Sequence, residues 1–180
     1  NRESGTIPVN GKINFSEFIQ NGFEGFEADI DDFKLHANLY FPEVRMRNFV
    51  EIRNHDCVGR DLQYSILAIY KGILYSHCAM NEIEELFKPF EYRDFSELRY
   101  NVPKSALNAR IGKYSVKDIS KEILYIAEKS LIGMDTGEEK YLEAIKEYTL
   151  NGISPADVMI RNWNGLWNKD VKKLIKFVSE

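Results

Sequence analysis

Residues 41–57 constrain this chain more than any other segment, because charged and apolar side chains alternate along them. In an extended strand, successive side chains point to opposite faces of the sheet. One face would carry Glu43, Arg45, Arg47, Phe49, Glu51 and Arg53. The other face would carry Val44, Met46, Val50 and Ile52. The pattern therefore predicts one long β-strand with a charged face and an apolar face.

The charged face combines two residue types that suit phosphate and metal chemistry. The Glu51 carboxylate offers hard oxygen ligands to Mg²⁺, and the Arg53 guanidinium offers bidentate donors to carboxylate or phosphate oxygens. Side chains two positions apart on a strand stand about 6.6 Å from each other, so a metal ligand would lie beside an anion clamp. The spacing fits equally well a solvated sheet face whose charges pair with one another.

Composition favours a folded protein in the size range of one domain. The chain has 180 residues, of which 44% are hydrophobic and 13% aromatic, enough for a substantial core. A net charge of −4 gives no attraction toward nucleic acid or an anionic membrane. The most apolar stretch, residues 62–74, is shorter than the roughly 20 residues of a membrane span and predicts a buried helix. Two cysteines make no disulfide framework, so we expect a cytoplasmic protein.

Several helices can be predicted from a capping residue followed by an acid three positions later. The pairs are Asn14 with Glu17, Asp29 with Asp32, Ser115 with Asp118, Thr136 with Glu139, and Ser154 with Asp157. Glycines mark four of the expected ends, at Gly22, Gly133, Gly152 and Gly165. Asp61 begins the apolar helix, and a last amphipathic segment starts at Lys169. The prediction is an α+β fold in a single domain (residues 1–180), predominantly helical with a small antiparallel sheet.

Other reactive or aromatic residues have simpler interpretations. His36, His55 and His77 lack the spacing of zinc ligands, and only His55 directly follows the charged strand. Cys57 is interpreted as a small buried side chain. Trp163 and Trp167 could stack on a nucleotide base, but we favour packing between the last two helices. No glycine-rich phosphate loop is found in the sequence, which argues against a P-loop or dinucleotide-binding fold.

The charged segment, Phe41-Pro42-Glu43-Val44-Arg45-x-Arg47-x-Phe49-Val50-Glu51-Ile52-Arg53-x-x-Asp56, resembles the signature of plant- and proteobacterial-type glutamate–cysteine ligases, which are relatives of glutamine synthetase. Further similar segments upstream are Pro8-Val9-Asn10-Gly11, Phe15-Ser16-Glu17-Phe18, Asn21-Gly22-Phe23 and His36. Those downstream are Lys140-Tyr141-Leu142-Glu143, Asn151-Gly152 and Ser154-Pro155-Ala156-Asp157. Where the relatives carry Gly-Ala-Asp, this chain has Asn54-His55-Asp56.

The resemblance implies that the chain is the carboxy-terminal portion of a longer enzyme with a glutamine-synthetase-like catalytic fold. The implied cofactors are ATP and Mg²⁺. The γ-carboxylate of glutamate would take the γ-phosphoryl group of ATP, giving γ-glutamyl phosphate, and the amine of cysteine would then displace phosphate. Glu51 is implied as a Mg²⁺ ligand, Arg53 as a catalytic residue on the transferring phosphoryl group, and Arg45 as a catalytic residue that holds a substrate or nucleotide anion. Asp56 would orient these groups.

The implied partners are the small-molecule substrates and an amino-terminal half that supplies the remaining metal ligands. We expect no nucleic-acid or membrane partner, and we expect the chain alone to be inactive. Two alternatives stay open. The chain could be a non-catalytic binding or assembly module, or it could belong to a related carboxylate–amine ligase with a different acceptor amine.

Overall fold

The computed structural model describes residues 11–39, 43–46 and 48–179. The chain divides into two compact units, one ending at His55 and the other beginning at Asp56. Within the described residues, helices predominate and the strands form two short antiparallel hairpins. This architecture confirms the predicted α+β class.

Two helices and one hairpin make up the described part of the first unit. The elements are α1 (Phe15–Asn21), α2 (Ile30–Leu39), β1 (Val44–Met46) and β2 (Val50–Ile52). The predicted cap of α1 is confirmed: the Asn14 side chain accepts from the Glu17 amide, and the Glu17 side chain accepts from the Asn14 amide, both at 2.9 Å. The helix ends at the predicted glycine, Gly22.

The prediction of one long strand is wrong, because the chain reverses between β1 and β2. The two strands pair antiparallel, with Val44 opposite Ile52 and Arg45 opposite Glu51. Pairing lets each strand satisfy backbone groups of the other, which a lone strand cannot do. Opposed residues share a face of a hairpin, and alternate residues along each strand share that face as well. Among the described side chains, Arg45 and Glu51 therefore share one face, and Val44, Val50 and Ile52 share the other, as predicted for a single strand.

The second unit is a helical assembly with one small hairpin. Its α-helices are α3 (Arg60–Leu74), α4 (His77–Phe87), α5 (Tyr92–Ser105), α6 (Val116–Met134), α7 (Glu143–Asn151), α8 (Pro155–Asn164) and α9 (Val171–Ser179). Its strands are β3 (Arg110–Ile111) and β4 (Tyr114–Ser115), and 3₁₀ turns occupy Ala106–Asn108 and Glu138–Leu142.

The predicted boundaries of these helices are confirmed in some places and wrong in others. Ser115 and Ser154 cap α6 and α8 as predicted. Helix α6 passes through Gly133 and stops at Met134, followed by a left-handed residue, Asp135. Thr136 does not begin an α-helix, because the 3₁₀ turn comes first and α7 starts only after Leu142. The capping patterns did not predict α4 or α5.

The core of the second unit lies between α3, α6 and the second 3₁₀ turn. Its buried apolar residues are Ala68, Leu124, Ala127, Leu131 and Leu142. Helices α3 and α6 approach closely at Gly72, where a Cβ would stand only 2.6 Å from the carbonyl oxygen of Ala127. The fully buried Ser65 hydroxyl donates to the Tyr141 carbonyl at 2.6 Å, which ties α3 to the 3₁₀ turn. Small residues on α3 thus form its packed face.

The prediction that α3 is a buried helix is confirmed for one face only, among the residues described. Tyr64 is 48% exposed and Leu67 is 64% exposed, because these larger side chains lie away from the face formed by Ser65, Ala68 and Gly72. None of the helices in the described ranges has the length and apolar character needed to cross a membrane.

Candidate functional site

The β1–β2 hairpin brings the predicted site residues together. Arg45 on β1 lies directly opposite Glu51 on β2. The amide of Arg53 donates to the carbonyl of Glu43 at 2.8 Å, which extends the pairing by one more residue on each strand. Glu43, Arg45, Glu51 and Arg53 therefore share one face of the hairpin. Arg47 lies outside the described residues, as do Phe41 and Pro42.

A single carboxylate oxygen of Glu51 receives both guanidinium groups. Arg45 Nη2 lies 2.8 Å from Glu51 Oε2, and Arg45 Nε donates to the same oxygen at 2.9 Å. Arg53 Nη1 lies 3.8 Å from this oxygen. Arg45 is the most shielded of the three side chains, at 13% exposure, against 28% for Arg53 and 31% for Glu51. The acid and two guanidinium groups converge, because the hairpin adds cross-strand contact to the shared face that the sequence pattern predicted.

The two oxygens of the Glu51 carboxylate have different environments. Oε2 is held by Arg45, whereas Oε1 has no hydrogen-bond partner within the described ranges. A carboxylate oxygen without a partner can accept a donor or coordinate a hard cation. The arrangement therefore leaves one oriented oxygen for a ligand while the other is fixed by an ion pair.

This donor set fits one ligand of a Mg²⁺ site and does not form a complete site. Mg²⁺ is usually held by one or two carboxylates together with waters and substrate phosphates. Among the described residues, no three His, Cys, Asp or Glu side chains lie close enough to hold a metal ion together. Glu51 Oε1 could supply one oxygen, and the two guanidinium groups beside it could contact phosphate oxygens.

The remaining sequence candidates have varied outcomes. Cys57 is exposed rather than buried, because it lies in the irregular segment between β2 and α3. His55 and Asp56 are also exposed there. The ring of Trp167, in the turn after α8, lies 5.2 Å from that of Phe177 on α9, so this tryptophan packs against the last helix.

Sequence reasoning missed a cavity in the second unit, which includes Arg161 of α8 and Gly152 at its wall. The available signal was weak: Asn151-Gly152 and Ser154–Asp157, which border the cavity, were noted only for their resemblance and as helix ends.

The fold and the hairpin define a mostly helical α+β protein that presents a carboxylate between two guanidinium groups on one sheet face. The sequence pattern of glutamate-cysteine ligase family 2 (GCS2) matches residues 2–176, nearly the whole chain. The chain therefore belongs to this family, as the resemblance predicted.

Curated relatives agree with this assignment. The chain is similar to the chloroplastic glutamate–cysteine ligase of Nicotiana tabacum, with 22% identity over 88% of this chain and 31% of that protein. It is also similar to the corresponding enzymes of Arabidopsis thaliana, with 26% identity over 78% of the chain and 27% of that protein, and Solanum lycopersicum, with 23% over 91% and 32%. The chain spans about a third of the length of the relatives it matches.

Proposed function

We propose that residues 1–180 are the carboxy-terminal domain of an ATP-dependent glutamate–cysteine ligase, the enzyme that forms γ-glutamylcysteine at the first step of glutathione synthesis. The family match over residues 2–176 and the names of the relatives support this proposal. The structural observation that carries it is the convergence of Arg45 and Arg53 on one oxygen of Glu51.

In this proposal, each hairpin residue has a separate role. Glu51 Oε1 would be one Mg²⁺ ligand, while Arg45 holds Oε2 and so fixes the orientation of the carboxylate. Arg53 would contact the transferring phosphoryl group, because a guanidinium matches phosphate oxygens with two parallel hydrogen bonds. When bound, ATP and Mg²⁺ would supply the phosphoryl group and neutralise its charge. Catalysis by the chain's own residues then consists of positioning and charge stabilisation.

The reaction would proceed through γ-glutamyl phosphate, from which the amine of cysteine displaces phosphate. Because the described residues contribute one candidate metal ligand, we propose that the remaining ligands come from an amino-terminal half of the same enzyme. We also propose a cytoplasmic setting, since both cysteines are free and a reducing compartment would keep them so.

The test of the proposal is Glu51→Gln in the complete enzyme. The amide keeps the size of the side chain but is a much poorer Mg²⁺ ligand, so turnover should fall at least about a hundredfold. Circular dichroism should show an unchanged fold. The matched control is Glu84→Gln, an exposed position on α4, which should retain normal activity. Near-normal turnover of the Glu51 variant would refute the metal role.

A second candidate function is a non-catalytic assembly module, and the ion pair within the hairpin favours it. Arg45 and Glu51 already neutralise each other at 2.8 Å, as expected of a structural sheet face. ATP binding by the complete protein distinguishes the two functions. If the protein binds ATP in a Mg²⁺-dependent manner and Arg53→Gln weakens this binding, the ligase is supported. ATP binding that is absent, or insensitive to Arg53, supports the module.

A further inference from the structure

The second unit contains a cavity of about 310 Å³ where α5, the first 3₁₀ turn and the α7–α8 junction meet. Its volume is at the lower end of the range of about 300–1,000 Å³ typical of ligand cavities. Ser105 and Asn108 contribute polar groups, and Ile153 and Val158 contribute apolar ones. Such a mixed lining suits a small polar ligand rather than an apolar one.

The two charged residues that line the cavity, Asp157 and Arg161, differ in how they are used. Asp157 Oδ2 accepts hydrogen bonds from the amide and the hydroxyl of Ser154, both at 2.7 Å. The bonds from Ser154 lower the pKa of Asp157, so this carboxylate stays ionised and serves as a helix cap. Arg161 lies one turn further along α8, and no hydrogen bond or ion pair engages its guanidinium within the described ranges.

A second cation, Lys117, lies beside Gly152, one of the residues that line the cavity. The Lys117 ammonium is 2.9 Å from the point where a Cβ on Gly152 would stand, so the absence of a side chain at Gly152 makes room for it. Lys117 is partly buried and has no carboxylate partner in the part of the chain that the structure describes. Its position near the end of α7 accounts for part of this placement, because cations are favoured at helix carboxyl ends. That explanation does not extend to Arg161.

We propose that this cavity binds a small oxyanion, a carboxylate or phosphate group, held mainly by Arg161 and assisted by Lys117. Because the Asp157 carboxylate is committed to Ser154, the exposed Arg161 is the charged lining residue left to bind a ligand, which suits one anionic group rather than a polyanion. The Ser105 hydroxyl and the Asn108 amide supply neutral donors for the same group. None of the hairpin residues belongs to this cavity, and anion binding there does not require ligase activity.

The test is titration of the full 180-residue chain with inorganic phosphate and, separately, with acetate. Binding should shift the amide resonances of Asn108, Gly152 and Ile153 and the Nε–H resonance of Arg161. Arg161→Gln should weaken binding by about tenfold or more, because it removes a charge-assisted bidentate contact. Lys117→Gln should weaken it several-fold. Binding of either probe supports the proposal, and the probe that binds more tightly identifies the preferred group.

Two controls separate this site from general attraction of anions. Arg60→Gln, at the start of α3, and Lys121→Gln, one turn further along α6 than Lys117, change the charge equally on exposed positions of the same unit. Both should bind the probes like the parent chain. The proposal is overturned if neither probe shifts the named resonances, if Arg161→Gln binds unchanged, or if the control variants lose affinity to the same extent. Circular dichroism of every variant verifies that the helices remain folded.

Discussion

Arg45 and Glu51 face each other across the β1–β2 hairpin as direct register partners, with Nη2 and Oε2 2.8 Å apart. This contact joins the two strands and also fixes one oxygen of the Glu51 carboxylate, which Arg53 approaches as well. The contact therefore acts as a structural ion pair, and by holding Oε2 it also orients the other oxygen, Oε1, for a ligand. Each role predicts a different measurement.

The structural role predicts energetic coupling between Arg45 and Glu51. In a double-mutant cycle with Arg45→Gln and Glu51→Gln, the free energies of unfolding should be non-additive by about 1 kcal/mol, since the two side chains are partly shielded and directly opposed. Urea denaturation followed by a probe in the first unit measures this quantity. A cycle between Arg45 and the exposed Glu24, whose ion-pair partner is Lys12, should give no coupling. Additivity in the first cycle would contradict the pairing.

The proposed catalytic role predicts that Arg53 cannot be replaced by lysine in the complete enzyme. An ammonium keeps the positive charge but cannot form two parallel bonds to phosphate, so turnover should fall about tenfold to a hundredfold. Steady-state kinetics with ATP as the varied substrate would separate an effect on KM from one on kcat. Arg60→Lys is the matched control. An unchanged rate in Arg53→Lys would show that the phosphoryl assignment is wrong.

The Lys71–Glu138 ion pair predicts a pH dependence of stability in the second unit. Lys71 Nζ lies 2.6 and 2.7 Å from the two carboxylate oxygens, and hydrogen bonds from Lys71 and then Thr136 hold the pKa of Glu138 below its ordinary value of 4.5. A lowered pKa means that the folded state binds the proton less tightly than the unfolded state does. The stabilisation is therefore complete above pH 4.5 and is lost as the pH falls through the lowered pKa.

Urea unfolding of the parent chain and Glu138→Gln, at several pH values from 7 down to 3, checks this prediction. The variant should be less stable than the parent at pH 7, and the difference between them should shrink on acidification. Glu84→Gln, which changes the same charge on an exposed position, should show a smaller difference at pH 7. A difference between Glu138→Gln and the parent that stays constant across this range would contradict the assignment.

The helix ends show which features the sequence could predict. Asn14 with Glu17, and Ser154 with Asp157, satisfy backbone amides within three residues, so their capping boxes depend on local sequence alone. Thr136 has the same spacing to Glu139, yet the chain forms a 3₁₀ turn there. In this region the Ser65 contact to Tyr141 and the Lys71 contact to Glu138 are tertiary, and local spacing carries no information about them.

The hairpin shows why the shared charged face could be predicted although the hairpin topology could not. Opposed residues in this register are both odd-numbered or both even-numbered, so the alternation of charged and apolar side chains continues through the reversal. No glycine or proline lies between Met46 and Val50 to indicate a turn. The shared face of Arg45, Glu51 and Arg53 was therefore predictable. The ion pair that ties Arg45 to Glu51 was not, because it depends on the fold-back.

Replacement by alanine should have opposite effects on stability at two glycines of the core helices, Gly72 and Gly133. At Gly72 on α3, a Cβ would lie 2.6 Å from the Ala127 carbonyl oxygen and 3.0 Å from its Cα, and neither backbone atom can move without separating α3 from α6. Alanine is the better helix former by about 1 kcal/mol, but overpacking of a tight contact costs typically 1–3 kcal/mol. Gly72→Ala should therefore be net destabilising for the second unit, by up to about 2 kcal/mol.

Gly133 on α6 is the matched control, because nothing lies within 4 Å of its added Cβ. With no clash to oppose helix propensity, Gly133→Ala should stabilise the unit by about 0.5–1 kcal/mol. Thermal and urea denaturation of both variants measures the two signs under identical conditions. If Gly72→Ala proved as stabilising as Gly133→Ala, the close approach of α3 to α6 would not be a constraint on this fold.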